Sequence, residues 1–465
     1  MSMKQTQPTY TELDTFVANG IKTSVLRFTL PLDYSAPSGE TVPVVAKIVN
    51  THRRGSAGVR MEQTPSFSLK DDVGRNASNL VVYLQGGPGF PSAFPTGPTD
   101  PSFLKPLLDR NYTVVLLDQR GTGLSGPIDT ELLLSKGTTQ QQFEFVKHFR
   151  ADSIVHDCDR IREVLLGPAG RWSVLGQSFG GFTAVTYASF YPQTLRHVML
   201  TGGLPPLTVS SVDEVYHATF ERTRERNLAY YSRFPGDVEK VHTIVRHLAE
   251  NVVVLPNGGV LSVDRFRGLG LKFGGSGGTL GLHILVTTMH AELENGKLSY
   301  ATKTTLMNYL RIETNIHYFL FHEAIYLHGK GCRSGWAADR VLAATPADPT
   351  GPFMFTGEIV TRSMLESHKE LQPLAPLAEY IHDYDQWSCI YHLDTLRTLT
   401  WETLPIVASV YLDDQYVDYE LGRRNKAIFE YKPVVTNRLF HIGLAAASEH
   451  VIDQLHSILD YGDYM

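Results

Sequence analysis

The sequence predicts an α/β fold, in which a mostly parallel sheet carries a long, mainly helical insertion. Short apolar runs alternate with helical patterns along residues 1–202, after a β-rich N-terminal extension. Helical patterns then continue across 203–400, and strand-like runs return in 401–465. Strands that alternate with helices favour a parallel sheet. We therefore expect one core domain built from 1–202 and 401–465, and a helical cap domain at 203–400.

The elements of the first part of the chain are expected in the following order. Residues 23–50 alternate apolar and polar side chains around a turn sequence, which predicts a β-hairpin or meander. Residues 51–79 are polar and rich in Ser, Arg and Gly, so we expect an exposed loop without a catalytic role. Apolar runs at 80–84 and 112–117, each followed by a glycine-rich loop, predict buried parallel strands.

The remaining core elements follow from the same patterns, because helical spacing of apolar residues predicts helices and short apolar runs predict strands. The helices are expected at 152–166, 179–190 and 449–459, and the strands at 172–175, 197–201, 405–412 and 432–436. In an open α/β sheet, ligands gather beyond the carboxyl ends of the parallel strands. We expect the functional site at that edge.

Composition excludes several classes of function. The chain has 465 residues, of which 42% are apolar and 19% charged, as is typical of globular proteins. Its formal charge of -6 is unsuited to nucleic acid, and no apolar run reaches the ~18 residues that span a membrane. The polar N-terminus lacks a signal-peptide pattern, and the widely spaced Cys158, Cys332 and Cys389 predict neither disulfides nor a metal pair. We expect a cytoplasmic protein without a nucleic-acid or membrane partner.

The most informative motif is G-x-S-x-G, formed by Gly176, Ser178 and Gly180 between a predicted strand and a predicted helix. In this strand-turn-helix context the motif forms a nucleophile elbow, which is a sharp turn that carries a nucleophilic serine. Small residues on either side of the serine allow a tight turn that leaves its hydroxyl exposed above the sheet. The unpaired N–H groups at the start of the following helix favour a developing oxyanion. We therefore expect Ser178 to be a nucleophile.

A serine nucleophile needs an orienting carboxylate and a base, which follow in the order Ser, Asp or Glu, His in this architecture. Asp413 and Asp414 come directly after the strand predicted at 405–412. Because adjacent side chains project in different directions, we expect one of the two to reach the base. Asp418 is a more distant third candidate.

His441 is the expected base because it lies in a loop after the strand predicted at 432–436. Its competitors, His450 and His456, lie in the predicted final helix, where a partly exposed surface histidine is the usual interpretation. The acid and base candidates therefore both stand at strand ends, where the site is expected.

A second glycine-rich loop, residues 85–89, follows the strand predicted at 80–84. Consecutive glycines let the backbone approach a substrate closely and direct N–H groups at it. We expect this loop to form an oxyanion hole with the N–H of Phe179. Without the elbow motif, the same loop would be interpreted as a tight strand-to-helix turn.

Five segments together resemble the proline iminopeptidases, or prolyl aminopeptidases, which are serine aminopeptidases of the α/β-hydrolase fold. They are GGPG at 86–89, DQRGTG at 118–123, GQSFGG at 176–181, DDQYV at 413–417 and TNRLFHIG at 436–443. HEAIY at 322–326 and FTGE at 355–358 resemble the longer variety of these enzymes. Many relatives have histidine at the position of Gln85, a difference that leaves the backbone role of the loop intact but alters nearby hydrogen bonding.

The resemblance implies roles for individual residues. Ser178 would be the nucleophile, Asp414 the orienting acid and His441 the general base. Gly87 and Phe179 would supply the N–H groups of the oxyanion hole. Neither a metal nor an organic cofactor is implied.

The resemblance also implies that cap carboxylates bind the free N-terminus of a peptide substrate. Glu323 matches the relevant motif best, and Glu358 is a second candidate for which a capping or surface role is an equal alternative. Such carboxylates make physical sense because an enclosed ammonium group needs anionic partners. Asp118 and Arg120 are expected to pair with each other or to brace the loop beside the site.

The leading hypothesis is a serine exopeptidase that releases N-terminal residues, preferentially proline, from peptides through an acyl-enzyme intermediate. Aromatic residues within 317–321 could form walls of a proline pocket, although their helical spacing is more typical of simple core. One alternative is an esterase or amidase for another small substrate, because one fold supports many chemistries. Another is a non-catalytic ligand-binding protein, a class that usually lacks one triad member.

Overall fold

The computed structural model describes residues 9–52, 65–275, 277–309, 312–345 and 351–462. The polar N-terminal octapeptide and residues 53–64 of the predicted exposed loop lie outside these ranges.

The described residues form a nine-stranded sheet. Its strands are β1 Tyr10–Ala18, β2 Ile21–Pro31, β3 Thr41–Thr51, β4 Leu80–Leu84, β5 Thr113–Asp118, β6 Trp172–Gln177, β7 Leu195–Thr201, β8 Ile406–Tyr411 and β9 Lys432–Thr436. Their spatial order is β1-β2-β3-β5-β4-β6-β7-β8-β9. Strands β1 to β3 form an antiparallel meander that pairs antiparallel with β5, and all later neighbours are parallel. The predicted mostly parallel sheet with an N-terminal β extension is confirmed.

Helices cover both faces of the sheet and fill the long segment between β7 and β8. Within the described ranges they are α1 Leu104–Asp109, α2 Thr130–Ser135, α3 Thr139–Val146, α4 Ala151–Leu166, α5 Phe179–Phe190, α6 Val212–Arg233, α7 Asp237–Glu250, α8 Val263–Arg267, α9 Gly278–Glu294, α10 Tyr300–Tyr309, α11 Ile316–Phe321, α12 Ala337–Ala344, α13 Met364–Ser367, α14 Ala375–Asp383, α15 Leu393–Arg397, α16 Tyr419–Arg423, α17 Gly443–Ala446 and α18 Ser448–Tyr461. Short helical turns occur at Leu69–Val73, Gly74–Asn76, Pro192–Thr194, Gly268–Gly274, Glu323–Tyr326, Lys369–Leu374 and Arg424–Ala427.

Both faces of the parallel part of the sheet are buried, which explains the continuous apolar sequences of its strands. Alternate residues of β4 belong to opposite faces. Val82 lies in an apolar cluster with residues of α4 and α5, whereas Val81 lies in one with residues of α1 and α18. Helix α5 is buried along almost its whole length, so the serine turn at its start rests on a rigid base.

The segment between the end of β7 at Thr201 and the start of β8 at Ile406 is mainly helical. Within it, apolar residues of 230–306 and Phe355 form a cluster of their own. Apolar residues of 312–399 instead share the large cluster that covers one face of the sheet. The later part of the insertion is therefore anchored on the core. In the part of the chain that the structure describes, no helix is both long and apolar enough to cross a membrane.

The described end of the predicted exposed loop packs against the sheet instead of standing free. Val73 belongs to the large apolar cluster. Asp72 is buried, and its Oδ2 lies 2.7 Å from Nζ of Lys22 on β2. This ion pair brings a polar segment onto the sheet, a feature that local composition does not indicate.

Candidate active site

Ser178 occupies a sharp turn between β6 and α5. Its φ of 54° and ψ of -126° lie outside the usual regions for a residue with a side chain. The turn is possible because its neighbours are small. A Cβ on Gly180 would collide with the carbonyl of Leu84, and a Cβ on Gly176 would collide with the carbonyl of Gly180. These two glycines explain the spacing of the G-x-S-x-G motif physically.

Ser178, His441 and Asp414 form a hydrogen-bonded line. Nε2 of His441 lies 2.8 Å from Oγ of Ser178, and its Nδ1 lies 2.8 Å from Oδ2 of Asp414. A carboxylate only accepts hydrogen bonds, so Nδ1 donates to Asp414 and Nε2 accepts from the serine hydroxyl. All three side chains are buried. This arrangement can remove the serine proton during nucleophilic attack.

The backbone after β8 fixes the carboxylate of Asp414. Its Oδ1 accepts hydrogen bonds from the N–H groups of Tyr416 at 2.8 Å and Val417 at 3.2 Å. The other oxygen remains available to His441. The turn therefore orients the carboxylate, and the carboxylate in turn orients the imidazole.

The other two acid candidates make different contacts. Asp413 is half-buried, and its backbone carbonyl accepts a hydrogen bond from Arg226. Asp418 accepts a hydrogen bond from the N–H of Leu421 and so caps α16, and it also pairs with Arg222. Of the three aspartates, the structure brings Asp414 to His441.

The two competing histidines are not part of the hydrogen-bonded group of Ser178, His441 and Asp414. His450 is exposed on α18. His456 is buried on the same helix, with its ring 5.5 Å from that of Tyr112 and 6.2 Å from that of His197. Burial lowers the pKa of His456 to about 4, which is typical of a neutral packed side chain.

The charge state of His441 depends on two carboxylates. Burial by itself lowers the pKa of His441 because it disfavours the imidazolium ion. The charge and hydrogen bond of Asp414, with a further contribution from the charge of Glu358, outweigh that effect. The pKa of His441 consequently lies above its ordinary value of 6.5. The pair is therefore suited to hold the proton that the serine releases.

The glycine-rich loop after β4 lies against the serine turn. A Cβ on Gly86 would lie 2.9 Å from Cβ of Ser178, so no larger residue fits there without displacement. Gly87 has a φ of 135°, in a region that favours glycine, and both glycines line a cavity with Ser178. Phe179 begins α5, where the first N–H groups of a helix lack intrahelical acceptors. Gly87 therefore lines the same cavity as the nucleophile, and Phe179 follows the nucleophile directly in the chain.

A cavity of about 400 Å³ opens above the serine. It combines polar groups from the core loops with apolar and aromatic side chains from the insertion, as is usual for small-molecule sites. Its lining comprises Gln85, Gly86, Gly87, Phe90, Gln177, Ser178, Gly268, Leu271, Lys272, Asn308, Tyr309, Ile312, Tyr318, Gly357, Glu358, Ile359, Met364, His441 and Ile442.

Glu358 brings a carboxylate into this cavity. Tyr318 donates a hydrogen bond to its Oε1 at 2.9 Å, and Nε2 of His322 lies 3.9 Å from its Oε2. Burial raises the pKa of Glu358, but interactions with His322, His441 and Tyr318 outweigh burial and hold the pKa below its ordinary value of 4.5. Glu358 is therefore an anion beside the nucleophile and the base.

Glu323 is buried outside the lining of the cavity. Its two oxygens accept hydrogen bonds from the N–H groups of Ala337 at 3.0 Å and Ala338 at 2.9 Å, at the start of α12. Nδ1 of His382 lies 3.2 Å from Oε2. These contacts correspond to a helix cap, so the structure does not bring Glu323 together with Ser178. Motif matching favoured Glu323 over Glu358, whereas Glu358 is the one of the two that lines the cavity with Ser178.

Asp118 and Arg120 do not pair with each other, contrary to one of the two expectations. Asp118 pairs with Lys47 of β3 at 2.6 Å, and Arg120 makes a bidentate pair with Asp157 of α4 at 2.7 and 2.6 Å. Although Gln119 alone separates them in the chain, the two side chains pair with different elements. Asp118 holds a loop near the site, because the backbone N–H of Ser92 donates to its Oδ1 at 3.0 Å. Arg120 instead donates to the carbonyls of Leu32 at 2.8 Å and His148 at 2.9 Å.

Sequence reasoning named the aromatic run at 317–321 as possible pocket walls but did not connect Tyr318 or His322 with Glu358. Tyr318 belongs to the large apolar cluster with Phe319 and Phe321, and it is the one of the three that lines the cavity. His322 directly precedes the glutamate that the motif highlighted. The tyrosine hydroxyl within an apolar helical run is a signal that could have indicated Tyr318, since a buried hydroxyl needs a hydrogen-bond partner.

Within the ranges described above, no group of three or more His, Cys, Asp or Glu side chains could hold a metal ion. Ser178 and His441 line the cavity and Asp414 lies behind His441, an arrangement that is typical of serine hydrolases.

Comparison with known proteins agrees with this geometry. Residues 79–244 match the family described as having the alpha/beta hydrolase fold. A proline iminopeptidase of Aeromonas sobria is 35% identical over 445 residues, covering 95% of this chain and 97% of its own. A proline iminopeptidase of Aspergillus aculeatus is 32% identical over 446 residues, covering 94% of this chain and 93% of its own.

Among solved structures, a proline iminopeptidase of Mycobacterium smegmatis has a TM-score of 0.41 and 13% identity, covering 94% of this chain and 100% of its own. That likeness is too low to bear on the assignment. The matches to the two sequence relatives extend over nearly the whole of this chain and of theirs. The chain belongs to the proline iminopeptidase family of α/β-fold serine hydrolases.

Proposed function

We propose that this protein is a serine exopeptidase that releases N-terminal residues, preferentially proline, from peptides with a free N-terminus. The single observation that carries the proposal is the presence of Glu358 in the same cavity as Ser178 and His441, which are joined by a hydrogen bond and backed by Asp414. A nucleophile alone would suit many amide and ester substrates. A carboxylate fixed beside it supports a substrate that carries a positive charge near the bond to be cleaved.

The reaction proceeds through an acyl-enzyme intermediate. Oγ of Ser178 attacks the carbonyl carbon of the N-terminal residue while Nε2 of His441 takes the hydroxyl proton. The N–H groups of Gly87 and Phe179 stabilise the oxyanion. His441 then passes its proton to the departing peptide nitrogen, which leaves a prolyl ester on Ser178. A water molecule, deprotonated by His441, attacks that ester and releases proline with the serine restored.

Glu358 binds the substrate amine in this proposal. A secondary ammonium group that enters the cavity loses its hydration, and a carboxylate already present there offsets the cost. The contacts with Tyr318 and His322, together with the charge of His441, lower the pKa of Glu358 and so support a charged carboxylate. Glu323 acts indirectly, because its helix-capping contacts stabilise the insertion beside the segment that carries Tyr318 and His322.

The experiment compares two pairs of chromogenic substrates, prolyl and alanyl p-nitroanilide, each with a free or an acetylated N-terminus. The expected result is a higher kcat/KM for the free prolyl compound than for the other three. An active-site serine variant, Ser178→Ala, and a serine-directed organophosphonate should each abolish turnover. Mass spectrometry after rapid acid quenching should detect the prolyl ester on Ser178. Equal rates on free and acetylated substrates would contradict amine recognition and favour a general amidase or esterase.

The cellular compartment is a separate part of the proposal. Cys158, Cys332 and Cys389 are free thiols, and free thiols are typical of a reducing compartment such as the cytoplasm. Cell fractionation followed by immunoblotting should recover the protein in the cytosolic fraction, and recovery from an oxidising compartment would contradict this assignment.

A further inference from the structure

The loop that carries the acid of the triad is attached to the helical turn Gly268–Gly274, part of which lines the cavity. The side-chain amide of Gln415 donates to the carbonyls of Gly270 at 3.0 Å and Leu271 at 3.3 Å. The hydroxyl of Tyr416 contacts the carbonyl of Leu271 as well. The two residues that directly follow the acid in the chain therefore both hold this turn.

Both anchoring side chains are suited to a fixed geometry. Gln415 is completely buried, so its amide depends on these carbonyls rather than on water. Burial, with the charges of Glu358 and Asp414, raises the pKa of Tyr416 well above its ordinary value of 10, so its hydroxyl keeps the proton that it donates. The ring of Tyr416 lies edge-on to that of His441, with 4.6 Å between their centroids. Tyr416 thus contacts the base and the turn with different parts of one side chain.

The same turn also holds the segment that leads to Glu358. The N–H of Thr356 donates to the carbonyl of Arg267, the residue before the turn, at 3.0 Å. A Cβ on Gly270 would lie 2.5 Å from Cβ of Phe355 and 2.5 Å from the carbonyl oxygen of Thr356, so the two backbones pack closely. Glu358 follows two residues after Thr356. The turn therefore contacts both the acid loop and the segment that carries the proposed amine-binding carboxylate.

We propose that Gln415 and Tyr416 are positioning residues that fix Glu358 at the correct distance from Ser178. The inference rests on the proposed function, because Glu358 must bind the substrate amine. In such a substrate the amine and the carbonyl carbon to be attacked belong to one residue, so covalent bonds fix their separation. The anion and the nucleophile must therefore keep a constant spacing, and a displacement of ~1 Å can cost about 10²-fold in rate. The turn maintains that spacing because it joins the loop of the acid to the segment of the anion.

A role limited to the base would have different consequences. If Tyr416 acted through His441 alone, its loss would affect every substrate, with or without an amine. An effect that passes through Glu358 should appear with substrates that carry the amine, and while the carboxylate is present. These two criteria separate the positioning of Glu358 from general support of the fold.

The test uses the ratio of kcat/KM on prolyl p-nitroanilide to kcat/KM on p-nitrophenyl acetate, which has no amine. Gln415→Met removes the donors at similar size, and Tyr416→Phe keeps the ring beside His441 but removes the hydroxyl. Each should lower the ratio by about 10-fold, within the ~10²-fold that a displacement of ~1 Å can cost. Tyr431→Phe is the matched control, because it removes a hydroxyl that donates to the carbonyl of Gly422 at 3.2 Å, outside the cavity lining, and it should keep the wild-type ratio.

The same two variants are then measured in the Glu358→Gln background. There the ratio should fall no further, because the anion that they position is already absent. The two variants test the turn independently, so either one decides the matter if the other does not fold.

The outcomes separate this inference from the proposed function. An equal fall in both backgrounds, or an unchanged ratio in both single variants, would overturn the positioning role and leave the exopeptidase proposal standing. A wild-type ratio in Glu358→Gln itself would instead contradict amine binding by Glu358 and would overturn both proposals together.

Discussion

The backbone conformation of Ser178 is strained, and the packing around this residue maintains it. A positive φ at a residue with a side chain is unfavourable by ~1–3 kcal/mol, and such conformations persist where packing over-determines them. Here the buried helix α5 and the close approach of Gly180 to Leu84 provide that packing. The hydroxyl is consequently presented to the cavity and to His441 in a fixed direction.

The adjacent Asp413 and Asp414 provide a matched pair for testing the acid at this site. Asp414→Asn should lower kcat by about 10⁴-fold, because an amide at that position favours the wrong tautomer of the base. Asp413→Asn should have little effect, since the contact of Asp413 with Arg226 uses its backbone carbonyl. Steady-state kinetics on prolyl p-nitroanilide checks both variants. A greater loss in Asp413→Asn would show that the assignment is shifted by one residue.

The pH dependence of the reaction reports the charge near His441. The base must be neutral to take a proton, so activity falls as pH decreases through its pKa. Because that pKa is raised, the acid limb of kcat/KM should lie above pH 6.5. Glu358→Gln removes a negative charge that favours the imidazolium ion, so the pKa should fall and the acid limb should move to lower pH.

The substrate for this measurement should be p-nitrophenyl acetate, which has no amine and so isolates the base from amine binding. Tyr318→Phe is a useful control, because it removes a hydrogen bond to Glu358 but leaves its charge in place. An acid limb at the same pH in the wild type and in Glu358→Gln would contradict the electrostatic contribution of Glu358.

At the scale of elements, the start of α12 depends on a carboxylate from a distant turn. Glu323 accepts from two buried N–H groups of that helix. Glu323→Gln keeps the size of the side chain but replaces one acceptor with a donor, so one N–H loses its partner. We expect a loss of about 1–3 kcal/mol in the free energy of unfolding. Urea denaturation followed by tryptophan fluorescence measures this change.

Activity provides the matched comparison for the same variant. Because Glu323 lies outside the cavity lining, Glu323→Gln should change kcat/KM by a similar factor for prolyl p-nitroanilide and for p-nitrophenyl acetate. Glu358→Gln should instead weaken the amine-bearing substrate selectively, by about 10- to 100-fold, the scale of a lost charge-assisted contact. A selective loss in Glu323→Gln would return the amine-binding role to Glu323.

The contrast between these two glutamates shows what a sequence can and cannot predict here. Apolar periodicity located β4, β6 and α5 well, because burial on the sheet is a local repeating constraint. The order of nucleophile, acid and base along the chain, and the position of His441 after a strand, also predicted His441 as the base. The roles of Glu323 and Glu358 depend on how distant segments of the insertion fold onto each other, and no local pattern encodes that.

At the scale of the whole molecule, the N-terminal meander is tied to the loops of the site by a buried ion pair. Nζ of Lys47 on β3 lies 2.6 Å from Oδ1 of Asp118 and donates to the carbonyl of Ser92 at 3.0 Å. The N–H of Leu124 donates to the other oxygen of Asp118 at 3.0 Å. One carboxylate therefore joins β3, the end of β5 and the segment that follows the oxyanion loop.

Breaking this pair from one side should destabilise the entire protein. Lys47→Met leaves the Asp118 carboxylate buried without its cation, which should cost about 3–5 kcal/mol in the free energy of unfolding. The double variant Lys47→Met with Asp118→Asn should recover part of that loss, because it leaves no unpaired charge buried and the amide oxygen can still accept one of the two N–H groups, that of Ser92 or that of Leu124. Lys105→Met, which breaks an exposed pair with Asp109, is the control and should leave the urea midpoint almost unchanged. A single variant at Lys47 as stable as that control would contradict a structural role for the buried pair.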